Sequence, residues 1–208
     1  MPVGPLLTSS VHWSAFAPLL VTALAIMGSP GPATISLTAA GAAFGVRRSG
    51  AYLAGIVAGT TIVLLAVAVG VTGVLLATPA VRPVLIAAAV GYILYLAYHI
   101  ATAPPLGAGS AAAAAPSAAG GLLLGVANPK AWVAIGAVFV SVRVAAGAVL
   151  DAGIKTAALT VLIVVINTAW LAAGASLAPM LRDPARARRA NALLAAALVV
   201  STAAALVR

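Results

Sequence analysis

The chain has no cysteine and, among 208 residues, only two acids, Asp151 and Asp183. The first absence excludes disulfides, thiolate metal sites and thiol catalysis. The second leaves no carboxylate cluster for a hard cation, and two histidines are too few for a transition-metal site, so no metal and no cofactor is expected. Charged residues make up 6% of the chain, against roughly 25% in a soluble domain. Apolar residues take their place: the hydrophobic fraction is 64% and the mean hydropathy +1.21. Apolar runs of about 20 residues recur, the signature of spanning helices rather than the ten-residue alternation of a membrane barrel. The chain is therefore predicted to be an all-α integral membrane protein with room for about six spans. Its net charge of +9 comes largely from short loops, where cations set orientation and meet lipid headgroups. The bilayer is the expected partner, and nucleic acid is not. The first 20 residues hold no Lys or Arg. The charged start of a signal peptide is thus missing, and the opening apolar segment reads as a span.

The expected spans run from about Ser14 to Phe44, Ala51 to Leu76, Val84 to Ala101, Gly120 to Val142, Ile154 to Ala178 and Asn191 to Val207. The first would be roughly 45 Å long as one helix, more than a hydrocarbon core of about 30 Å, with Pro30 near its middle. Residues 103–119, built mostly from Ala, Gly, Pro and Ser, read as a flexible linker. Residues 1–102 and 120–208 then each hold three spans. Three is odd, so a repeated half enters the membrane in the opposite sense and gives the inverted repeat of many secondary transporters. Arg47, Arg48, Arg182, Arg186, Arg188 and Arg189 fall on one side, and Arg82, Arg143, Lys155 and Arg208 on the other. The larger group is expected in the cytoplasm, which places both termini outside.

Two places break the helical pattern, and both fall in the first span of a half. One is Gly28-Ser29-Pro30-Gly31-Pro32, the other Asn128-Pro129-Lys130. Proline has no amide, so Pro30 and Pro32 free the carbonyls of Ile26 and Gly28. In hydrocarbon such groups survive only where protein or a polar cavity receives them. Ser29 and Asn128 are side chains that cap a helix start, and each precedes a proline suited to the first helical position. Each break thus predicts a new half-helix whose amides and dipole favour an anion. Lys130 lies in the first turn of one, and both acids are expected in loops, so the ammonium lacks a partner until a substrate carboxylate arrives. Ser29, Pro30, Gly31, Pro32, Asn128, Pro129 and Lys130 are the candidate substrate-binding residues. Thr60 and Asn167, polar side chains within spans, complete the set.

These residues resemble those of the LysE/RhtB family of bacterial amino acid exporters. The matching stretches are Ser29-Pro30-Gly31-Pro32, Arg48-Ser49-Gly50, Gly55 with Gly59, Gly91-Tyr92-Ile93-Leu94-Tyr95-Leu96, Asn128-Pro129-Lys130-Ala131 and Arg189-Ala190-Asn191. The resemblance implies a six-span transporter of the bacterial cytoplasmic membrane, driven by the proton motive force and acting as a homodimer. Thr60 stands near a place where many members carry an acid, and Ala97 where the third-span motif commonly has Gly. Without that acid a cationic side chain has no intramembrane counterpart, so the expected substrate is a neutral amino acid or related small zwitterion. Export of cationic amino acids, or of inorganic ions as in the wider superfamily, is the alternative. An enzyme is not expected: Ser29 or Ser36 with His99 as base would lack an acid to orient the imidazole.

Overall fold

A computed structural model describes residues 11–70, 115–177, 179 and 183–207, with residues 87, 90, 91, 93–95, 97, 98, 101 and 102 between them. A short 3-10 turn, Trp13–Ala15, leads into α1 (Phe16–Met27); α2 (Pro32–Ala68), α3 (Ala118–Ala127), α4 (Pro129–Ser141), α5 (Ala148–Ser176) and α6 (Pro184–Val207) follow. The described residues of the expected third span that carry an assignment, among them Ile93, Leu94, Tyr95, Ala97 and Tyr98, are helical. Tyr92, His99 and residues 103–114 of the expected linker lie outside the described set. Helix α3 begins at Ala118, within the stretch assigned to the linker, and Ser117 caps it by accepting from the Gly120 amide at 3.1 Å.

The first part of α2 is the core of the molecule. Every residue from Pro32 to Ala42 is buried. A helix enclosed on all sides needs small side chains and hydroxyls that satisfy themselves, and this one has both. Ser36 Oγ donates to the Ala33 carbonyl at 2.8 Å and Thr38 Oγ1 to that of Thr34 at 3.0 Å. At Gly45 the backbone turns to φ 75°, ψ 169°, a region closed to most side chains. The helix resumes immediately, so the turn between the first and second expected spans is a single glycine. Arg47 and Arg48 stand inside the second helix rather than in a loop before it.

Helix α2 packs most extensively on α5 and α3, then on α4 and α6. Both main contacts are backbone to backbone. Gly55 and Gly59 face Gly121 and Gly125, where a Cβ on Gly125 would lie 2.7 Å from the Ile56 carbonyl and 2.9 Å from the Gly59 Cα. On the other side Gly41 and Gly174 let α2 and α5 approach until a Cβ on either would collide with the partner's backbone. Van der Waals contact at this range is what holds helices together where the solvent is itself apolar.

Among the described residues, two helices, Pro32–Ala68 and Ala148–Ser176, are long and apolar enough to cross a membrane. The pair α3 and α4, bent by 56° at Asn128, counts as a third if read as one broken span. Asp151, expected in a loop, lies in the first turn of α5 and is buried, as is Lys155 one turn on. They form an ion pair at 2.7 Å. Asp151 Oδ1 also accepts from the amides of Val144 and Ala145, at 2.6 and 3.1 Å. Lys155 donates to the Phe139 carbonyl at 2.8 Å and lies 5.3 Å from the centre of its ring. The pair ties the end of α4 to the start of α5, and the His12 amide joins it by donating to the Val144 carbonyl. Removing one member strands the other charge. Asp151→Asn should lower the unfolding free energy by about 3 to 5 kcal/mol. Adding Lys155→Met should recover most of the loss, as measured by denaturant unfolding in detergent.

A candidate substrate site between two broken helices

Both breaks are true interruptions, and the first can be followed carbonyl by carbonyl. Helix α1 ends where the Gly28 amide donates to the Leu24 carbonyl at 2.9 Å. Pro30 leaves the Ile26 carbonyl without its helical donor, and the Ser29 hydroxyl supplies one at 2.8 Å. Pro32 does the same to the Gly28 carbonyl, which accepts from Trp170 Nε1 at 3.1 Å. The Ser29 and Pro30 carbonyls both accept from Lys130 Nζ, the second at 3.2 Å. At the other break Trp132 Nε1 donates to the Val126 carbonyl at 2.7 Å. Two indoles, one from α5 and one from α4, thus fill places that water would fill in a soluble protein.

The starts of the new half-helices differ from expectation at one of the two breaks. Asn128 caps α4 by accepting the Lys130 amide on Oδ1 at 3.1 Å, with Pro129 at the first helical position. Ser29 caps nothing: its hydroxyl faces back to α1, and α2 begins three residues later. Gly31 is the cap residue and Pro32 the first helical residue. The start has no side-chain cap; Thr34 Oγ1 reaches back from inside the helix and accepts from the Gly31 amide at 2.8 Å.

Lys130 is not unpartnered either. Its ammonium reaches across to the C-terminal end of α1, where freed carbonyls and the negative end of the helix dipole favour a cation. The opposition from its own half-helix is offset by the other. Carbonyl dipoles do not cancel a unit charge, however, and among the described residues lining the adjoining cavity there is no carboxylate.

That cavity lies between α1, α2, α4 and α5. Met27, Gly31, Ala33, Thr34, Thr60, Asn128, Lys130, Ala131, Ala134, Ile135, Ile163, Ile166 and Asn167 line it. The structure therefore brings five of the candidate residues together, Gly31, Thr60, Asn128, Lys130 and Asn167. Ser29, Pro30, Pro32 and Pro129 shape the breaks without lining the cavity. Asn167 is 6% exposed. Its Nδ2 donates to the Ile163 carbonyl at 2.7 Å, which fixes the amide's orientation, and its Oδ1 is buried with no partner among the described residues. A native protein rarely leaves such an acceptor empty.

Residues 24–208 match the family model described as LysE type translocator. The chain belongs to that family. No curated protein and no solved structure matches it. LysE-type translocators are transporters, not enzymes, and this one is a multi-pass membrane protein. Its cavity measures about 40 Å³, room for little more than water and far below the roughly 300 Å³ of a typical small-molecule pocket.

Trp170 was not foreseen, although a tryptophan three residues from Asn167 in an apolar helix must find an acceptor for its N–H. Trp170→Phe keeps an aromatic ring, smaller than the indole, and removes the donor, so the Gly28 carbonyl loses its partner. The variant should be less stable by about 1 to 3 kcal/mol. Thermal unfolding of the purified protein checks this.

Proposed function

We propose that this translocator exports a neutral amino acid or related small zwitterion across the bacterial cytoplasmic membrane, by alternating access at the two broken helices. In this reading the chain makes six spans in two inverted three-helix repeats, residues 1–102 and 120–208. The first spans of the repeats are α1 with the start of α2, and α3 with α4. Helix α1 has 12 residues, about 18 Å, so a break at its end falls near the middle of a bilayer. The larger group of arginines faces the cytoplasm. Burial of Lys155 in an ion pair removes one cation from the opposing group and strengthens that orientation. The homodimer that the family resemblance implies belongs to the same proposal.

The observation that carries the reading is the chemistry of the cavity. One end offers an ammonium, Lys130, and the set also holds an unpartnered buried acceptor, Asn167 Oδ1. The remaining wall is mainly Met, Ala and Ile. A zwitterion complements this set: its carboxylate meets Lys130 and its ammonium meets Asn167. A side chain carrying a second positive charge would face Lys130 with no acid lining the cavity to balance it. Inorganic cations are disfavoured for the same reason, and no group of three metal-ligating side chains occurs among the described residues.

Counterflow of labelled amino acids in reconstituted vesicles tests the proposal. Neutral amino acids should exchange and arginine should not. Lys130→Met should cut exchange at least about tenfold, the effect of losing one charge-assisted contact. Asn167→Leu should raise the half-saturating concentration by a similar factor while leaving the protein folded. Arginine moving faster than any neutral amino acid, or an unaltered Lys130→Met, would refute it.

A further inference from the structure

We propose that the carbonyls of Ser29 and Pro30 form a monovalent-cation site that Lys130 fills as a tethered ligand, so that the protein carries its own cation where another transporter would bind a dissociable one. The inference rests on reading the breaks as a transport site, because that reading gives the cation its place in the cycle.

Three observations support it. Both carbonyls lie just past the C-terminal end of α1, and among the described residues neither accepts a backbone amide: they accept from Lys130 Nζ. Unwound carbonyls at a half-helix C-terminus are the general means by which broken membrane helices hold cations. Next, the side chain is fitted to this place. A Cβ on Gly31 would lie 3.0 Å from Nζ and 3.3 Å from Cε, so any larger residue there would press the lysine stem out of its present place. The backbone at Gly31 is extended, with φ −170° and ψ −179°. It would accept any residue, so the glycine serves the lysine and not the turn. Finally, the described residues lining the adjoining cavity include no Asp, Glu or His. A loose cation there would have only these carbonyls and neutral side-chain oxygens, and Lys130 holds them already.

The functional consequence is that the wild-type protein needs no free cation at its break. Without Lys130, the carbonyl pair should take a monovalent cation from solution. Two sources share that chemistry, a sodium ion and an alkylammonium. A thermal-unfolding titration of the full-length protein in detergent separates them. Choline chloride, too bulky for the site, is replaced stepwise by sodium chloride or methylammonium chloride at constant ionic strength. Wild type should respond to neither. Lys130→Ala should gain a saturable rise of roughly 3 °C or more with at least one of them. A response to sodium alone marks an inorganic-ion site and one to methylammonium alone an ammonium site; both together mark an unselective one. Each supports the proposal. Curves for Lys130→Ala that stay as flat as those of wild type overturn it. Should Lys130→Ala fail to fold in every salt, Lys130→Met keeps the apolar stem without the ammonium and should acquire the same response. Flat curves there overturn the proposal as well. Unfolding is read without substrate, so this result and the counterflow result can fail independently.

Discussion

A backbone carbonyl without a donor is tolerable in water and costly where water is absent. The structure around the two breaks follows from that constraint. Prolines at 30 and 32 remove two amides from an otherwise continuous helix, and the surrounding protein replaces them one at a time. A serine hydroxyl, an indole and an ammonium each take a carbonyl at the first break. These donors come from α5 and α4 as well as from the break itself. The break is thereby wired to the elements that enclose the cavity, and a change in one alters the partners of the other.

The same constraint shapes the packing. A helix buried on every side, as α2 is from Pro32 to Ala42, has no solvent-facing stripe on which to place polar groups. Its hydroxyls turn back onto its own carbonyls, and its glycine at 41 brings α5 into backbone contact. Charges are treated alike. Lys155 is held by Asp151 and a carbonyl, whereas Lys130 is held by carbonyls alone. The first pair is electrically closed and the second keeps a net charge beside the cavity, which is why the latter suits an anionic group.

Much of this was legible in the sequence because it depended on local rules. Proline positions and the Asn128 cap act within a few residues of themselves. The Ser29 cap was misplaced for an equally local reason. Two Xaa-Pro steps stand side by side, Ser29-Pro30 and Gly31-Pro32, and capping preference favours serine. Thr34 supplies the hydroxyl from inside the helix, which allows glycine to be the cap. Long-range partners were not legible. Nothing near Lys130 announces the carbonyls of Ser29 and Pro30, and nothing near Asp151 announces the amides of Val144 and Ala145. The single-residue turn at Gly45 was also hidden, since Arg47 and Arg48 mark a boundary equally well from inside a helix as from a loop.

The chain has three tryptophans, and two of them are the indole donors at the breaks. Trp13, the third, is exposed near the start of the described chain. Indole emission depends on the polarity and hydrogen bonding of its surroundings. The intrinsic fluorescence of this protein is therefore weighted toward its two broken helices, and its colour reports directly on whether those carbonyls are held by protein or by water.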